Sequence, residues 1–232
     1  MSFTSSPVTS NSLPTARVWR LLVVDDHELF RNGLVHLIST EPDISICGEA
    51  GTVSEALEKF RELRPDLMIV DISLAQGNGL DLVEKIKGIE PATILLVLSM
   101  FDESVYADRA IAAGASGYAC KKAQNDEILN ALRTVKRQGM YVSEVVMGRL
   151  RSRKKGQPSN TGSSQEEEFL SSRELQIFTL IGQGETTQKI AQELNLSPST
   201  VETYRERIKV KLNLANGIEL TRRAILWTLR SV

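Results

Sequence analysis

The chain has 232 residues, 41% of them hydrophobic and 25% charged, and a net charge of −1. That is an ordinary globular composition with room for one large or two small domains, and it supplies no global field that would select nucleic acid or a membrane. No stretch approaches a membrane span or a signal core, so a cytoplasmic protein is expected, and the 2 cysteines, Cys47 and Cys120, make no disulfide framework or metal-ligand spacing but read as buried, reduced packing residues.

Residues 1–17 begin with the uncharged, Ser-, Thr- and Pro-rich "MSFTSSPVTSNSLPTA" and read as a disordered leader. From 18 to 140, short apolar runs alternate with helical patterns. The strand candidates are RLLVV (20–24), ISICGEA (44–50), DLMIV (66–70), TILLVL (93–98) and GYAC (117–120). The segments between and after them carry apolar residues at helical spacing, as at Leu57, Phe60 and Leu63, or Leu80, Val83 and Ile86. Strands apolar on both faces, each followed by a helix, predict an α/β fold: a doubly wound, five-stranded parallel sheet covered on both sides. Residues 141–168 hold a short helix, SEVVMGRLRSR, and a polar flexible linker. Residues 169–232 read as a second, all-α domain of four helices. Ser171 with Glu174 makes a capping box, and Ser197 with Pro198 opens the third of these helices. Charge divides along the same line: residues 1–140 carry 14 Lys and Arg against 19 Asp and Glu, and the helical end is mildly basic.

In an open parallel sheet, ligands bind at the carboxyl ends of the strands. The first strand runs into Asp25 and Asp26, the third into Asp71, the fourth into Ser99 and the fifth into Lys121. Three carboxylates on one rim call for a hard divalent cation with oxygen ligands, and Mg2+ suits because it accepts few carboxylates plus water and a phosphate. A phosphoryl group would then be offset by the cation, by Lys121 and by the Ser99 hydroxyl, with Asp71 as the nucleophile on the central strand. His27 beside the acidic pair reads as a surface residue and His36 as helix packing.

The segments VVDDHELFRNGL, PDLMIVDISL, LLVLSM and GASGYACKKA resemble the receiver domain of bacterial two-component response regulators. The resemblance implies a flavodoxin-like sheet order of 2-1-3-4-5. It implies Asp71 as the phosphorylation site and Asp26, Asp71 and the Ser73 carbonyl as direct Mg2+ ligands, with Asp25 acting largely through water. Ser99 becomes a switch hydroxyl, and Tyr118 either an aromatic whose rotamer follows it or a packed strand-end ring. Gly79 matches a loop glycine. Two positions depart from the pattern: Ala75 stands where Pro is frequent, and Lys122 where an acid is frequent.

At the helical end, TTQKIAQELN and SPSTVETYRERIKVKLN read as a helix-turn-helix. Val201, Ile208 and Leu212 form an inward stripe. Glu202, Thr203, Glu206, Arg207 and Val210 form the opposite face, which a major groove would receive, while Arg205, Lys209 and Lys211 reach phosphates from its sides. Thr187, Ser199 and Thr200 complete the candidate DNA-binding set. The whole stretch is similar to the LuxR-type DNA-binding domain. The helix with apolar Ile218, Ile225, Leu226 and Leu229 resembles that family's dimerisation helix, or else serves core packing. Together the two resemblances imply the NarL/FixJ class. The expected function is a transcriptional regulator, not an enzyme, phosphorylated by a sensor histidine kinase. It would be a homodimer when active, reading inverted-repeat half-sites in double-stranded DNA, with RNA polymerase as a further partner and no membrane. Two alternatives stand beside it: a phosphatase with an aspartyl nucleophile, and a regulator whose receiver-like domain works without phosphate.

Overall fold

The computed structural model describes residues 17–74, 77–154 and 169–231. The leader, Ala75 and most of the expected linker lie outside the described residues. Five strands, β1 (Trp19–Val24), β2 (Ile44–Ala50), β3 (Leu67–Asp71), β4 (Ile94–Ser99) and β5 (Gly117–Cys120), form one parallel sheet in the order β2-β1-β3-β4-β5. The crossovers are helical: α1 (Glu28–Ile38), α2 (Val53–Leu63), α3 (Gly79–Ile89) and α4 (Glu103–Ala112), with α5 (Asn125–Lys136) after β5. Local chemistry sets their starts. Thr52, Asn78 and Asp102 each accept a backbone N–H from the first turn of α2, α3 and α4. α2 stops where Arg64 adopts a left-handed φ of 45°.

Alternation along the strands builds two cores. Leu21, Val23, Leu67, Ile69, Leu96 and Leu98 pack with Leu34 and Ile38 of α1 and Ile128 and Leu132 of α5. Leu22, Val24, Met68, Val70, Leu95 and Val97 belong to the other, with Phe60 of α2, Val83 and Ile86 of α3, and Tyr106 of α4. Burying each such side chain contributes on the order of 2 kcal/mol against the entropy of ordering the chain.

α6 (Glu144–Lys154) packs on α4. The helical end consists of α7 (Ser172–Gly182), α8 (Thr187–Glu193), α9 (Pro198–Lys211) and α10 (Gly217–Ser231). Both reciprocal bonds of the Ser171–Glu174 capping box form. α10 crosses α7 at Gly182, where a Cβ would lie 2.1 Å from Thr228 Oγ1, so only glycine permits the approach. The second core of the sheet runs on into Leu170, Leu175, Phe178 and Trp227, joining both parts of the chain. Across this junction the buried Tyr106 hydroxyl lies 3.1 Å from Thr179 Oγ1, and Arg109 donates to the Leu170 carbonyl at 2.9 Å.

Two expectations are corrected, and one alternative is narrowed. Cys47 and Cys120 are free but only half-buried. The β1–β2 register jumps from Leu21↔Ile46 to Leu22↔Gly48, which leaves Cys47 unpaired in a bulge with its thiol donating to the Leu21 carbonyl. His36 is exposed, because Leu34 and Ile38 take the buried face of α1. In α10 the core is made by Leu220, Ala224 and Trp227, while Ile218 and Leu229 are 81% and 73% exposed. The stripe that core packing could have claimed faces outward.

Candidate functional site

The rim at the carboxyl ends of β1, β3, β4 and β5 gathers the residues expected there. Lys121 Nζ lies 2.6 Å from Asp25 Oδ2 and 2.7 Å from Asp71 Oδ2, with all three side chains buried. The Phe30 ring, 4.7 Å from the ammonium, closes its other side. Asp25 is fully engaged, since its Oδ1 also accepts the His27 N–H at 2.9 Å. Asp26 Oδ1 and Asp71 Oδ1 are buried without a hydrogen bond. His27 Nδ1 stands 2.8 Å from Asp26 Oδ1, near enough for an ion pair but at an angle that makes no hydrogen bond, and its side chain is 54% exposed. Burial pushes the Asp71 carboxyl up to about 7, against the pull of Lys121; Asp25 adds to the rise and the Ser73 N–H opposes it. Oxygens from Asp25, Asp26 and Asp71 and a nitrogen of His27 lie within 4.8 Å of one another. Two buried carboxylate oxygens without partners, among three acids, are the donor set a hard divalent cation takes. The residues present therefore fit Mg2+.

Ser99 is fully buried and accepts the Phe101 N–H at 3.2 Å. Tyr118 is also fully buried, its hydroxyl donating to the Phe101 carbonyl at 2.8 Å, so it packs as a strand-end ring within reach of the Ser99 segment. Gly79 opens α3 directly against β3. A Cβ there would lie 1.9 Å from the Asp71 carbonyl oxygen, so any other residue would displace Asp71.

On α9, Val201 and Ile208 are buried, as is Leu212 just after its end, and Glu202, Thr203, Glu206, Arg207 and Val210 are exposed together. The two glutamates on this face are paired. Glu202 accepts from Thr187 at 2.7 Å and lies 3.5 Å from Arg205, and Glu206 lies 2.8 Å from Lys209. They hold basic side chains in place instead of pointing bare charge at a duplex. Arg207 lies against the Tyr204 ring. Lys211 turns away, to Glu174 at 2.6 Å. Ser199 and Thr200 hydroxyls cluster with Ser197 at the start of α9.

The family "Response regulator receiver domain" matches residues 21–133, and "Bacterial regulatory proteins, luxR family" matches residues 168–224. Response regulator GacA of Pseudomonas viridiflava is 34% identical over 206 residues, 89% of this chain and 95% of GacA. The chain is a response regulator of the NarL/FixJ class. Oxygen regulatory protein NreC of Staphylococcus epidermidis is 33% identical to this response regulator over 89% of its length and 96% of NreC. The solved structure of RcsB from Salmonella enterica serovar Typhimurium, bound to promoter rprA, covers 90% of this chain and 99% of RcsB at 20% identity, with a TM-score of 0.59, and shares the fold. The response regulator is thus a transcriptional regulator and not an enzyme, and the phosphatase reading falls. No helix among the described residues is long and apolar enough to cross a membrane.

Two contacts of the response regulator were not foreseen. Asn195, in the turn before α9, donates to Asp26 Oδ2 at 2.9 Å, and Gln176 of α7 donates to Ser73 Oγ at 3.4 Å. Each arises only when the helical domain docks on the sheet domain, so no local pattern announces it.

Proposed function

We propose that Asp71 accepts a phosphoryl group from a sensor histidine kinase and that this controls DNA binding by the helical domain. The observation that carries the reading is the pair of buried, unpartnered oxygens Asp26 Oδ1 and Asp71 Oδ1, beside the ammonium that holds Asp71 Oδ2. In the transfer, the Asp71 carboxylate attacks phosphorus. An O–P bond forms as the P–N bond to the donor imidazole breaks, and its electron pair stays on nitrogen. Asp26, Asp71 and the Ser73 carbonyl would hold Mg2+, with Asp25 acting through water. The ion supplies positive charge that offsets the phosphoryl oxygens and favours the ionised form of Asp71. Lys121 supplies the second cation and Ser99 a hydroxyl donor. Tyr118 follows Ser99 because both are tied to Phe101.

The helical domain places α9 in the major groove. The face from Glu202 to Val210 meets base edges. Arg205, Lys209, Thr187, Ser199 and Thr200 serve the phosphate backbone, whereas Lys211 is committed to Glu174. The exposed apolar stripe of α10 pairs two copies on inverted half-sites, a homodimer that then meets RNA polymerase in the cytoplasm. Because the α9 face and the α10 stripe are both exposed while the domain is docked, phosphorylation acts by releasing the domain to reorient, so that two copies can align on their half-sites, and not by uncovering either surface. RcsB, solved on promoter DNA in the presence of a phosphomimetic, supports DNA binding by the phosphorylated form.

The test is to incubate the protein with acetyl phosphate and Mg2+ and locate the adduct by mass spectrometry. The phosphoryl group is expected on the peptide containing Asp71, and absent after EDTA or in Asp71→Asn. An adduct elsewhere, or none, overturns the reading.

A further inference from the structure

We infer that Asn195, though part of the DNA-binding domain, is a positioning residue of the receiver's metal site. The inference rests on the reading of Asp26 as a Mg2+ ligand. Asp26 divides its two oxygens: Oδ2 accepts from Asn195 Nδ2 at 2.9 Å, while Oδ1 is buried without a hydrogen bond, 2.8 Å from His27 Nδ1. With Oδ1 left without a hydrogen bond, the amide need not leave for a cation to bind. A ligating carboxylate whose free oxygen is hydrogen-bonded is oriented by that partner. The His27 imidazole near Oδ1 is half exposed and makes no hydrogen bond to that oxygen.

The amide is itself held in place. Asn195 sits at φ 50°, the left-handed conformation that asparagine tolerates, and the following Leu196 N–H bonds back to the Ala191 carbonyl at 2.8 Å. The buried Arg173 ties this turn to α7, donating to the Leu194 carbonyl and to Gln176 Oε1, both at 2.9 Å. Gln176 in turn reaches Ser73. One arginine thus holds Gln176 and the turn that carries Asn195, and these two residues touch two of the three expected to ligate the ion.

By reciprocity, whatever docking does for the ion, the ion does for docking. Mg2+ without phosphate should hold the domains together, leaving release to the phosphoryl group. The test is Mg2+ titration of the full chain by calorimetry, comparing wild type, Asn195→Gly, Asn213→Gly and Asp26→Asn. Glycine keeps the left-handed turn while removing the amide, and Asn213, at φ 52°, is the same substitution away from the receiver. Asn195→Gly is expected to weaken Mg2+ about tenfold, a loss typical of an outer hydrogen-bond partner, and Asn213→Gly to leave it unchanged. In hydrogen exchange, Mg2+ should slow the amides of residues 194–196 in wild type and not in Asn195→Gly. If Asp26→Asn abolishes binding while Asn195→Gly matches or exceeds wild type, the inference is wrong and the reading of the site survives. If Asp26→Asn binds as wild type does, that reading fails and the inference with it.

Discussion

Lys121 Nζ lies 2.7 Å from Asp71 Oδ2, and both side chains are almost fully buried. The same ammonium is 2.6 Å from Asp25, so one cation just past β5 offsets two acids at the ends of β1 and β3. Removing one partner of a buried charge group leaves the others uncompensated, which costs about 3–5 kcal/mol. Lys121→Gln should therefore destabilise the receiver by about 3 kcal/mol in urea unfolding with EDTA, and adding Asp71→Asn should restore part of that loss. A change below about 1 kcal/mol would show that the ammonium is not what holds these acids together.

On α9, Arg207 is exposed on the face proposed to read DNA, and Glu206 restrains Lys209 at 2.8 Å. Arg207→Ala should weaken DNA binding and reduce the slope of log affinity against log salt by about one. Glu206→Gln should act in the opposite sense on non-specific DNA, raising affinity by freeing Lys209 and removing a repelled carboxylate. Fluorescence anisotropy across a salt series distinguishes these outcomes. Identical salt slopes for all three proteins would place the duplex on another face.

Burial works to raise the Glu174 carboxyl, but hydrogen bonds from Lys211 and Ser171 hold it below the usual glutamate range. A depressed carboxylate adds stability above its unfolded value near 4.5, and that stability disappears as the pH falls through the lower folded value. Glu174→Gln should cost roughly 1 kcal/mol at neutral pH, a capping-scale loss, and the gap to wild type should close on acidification below about 4.5. Thermal unfolding from pH 7 to pH 3 reads this directly. A gap that widened in acid would reverse the assignment.

Much of the receiver is legible in the chain because buried runs end abruptly in polar residues. Leu67–Asp71 and Ile94–Ser99 are such runs, and their ends become the site. The capping residues Ser171 and Ser197 likewise declare helix starts from local chemistry alone. What stays hidden depends on pairing or docking. The bulge at Cys47 follows from the register between β1 and β2, which neither strand encodes alone. The bond from Asn195 to Asp26 spans 169 positions and exists only because α7 packs on the receiver. In α10 helical spacing alone did not separate the buried Leu220, Ala224 and Trp227 from the exposed Ile218 and Leu229, because both sets recur at helical spacing.

Affinity for promoter DNA at fixed salt and Mg2+, measured with and without beryllium fluoride, tests the account most directly. Wild type should bind about tenfold more tightly with the phosphomimetic, within the usual range of allosteric coupling, while Asp71→Asn should not respond. Equal wild-type affinity in both conditions, or an undiminished response in Asp71→Asn, would contradict control of DNA binding through Asp71.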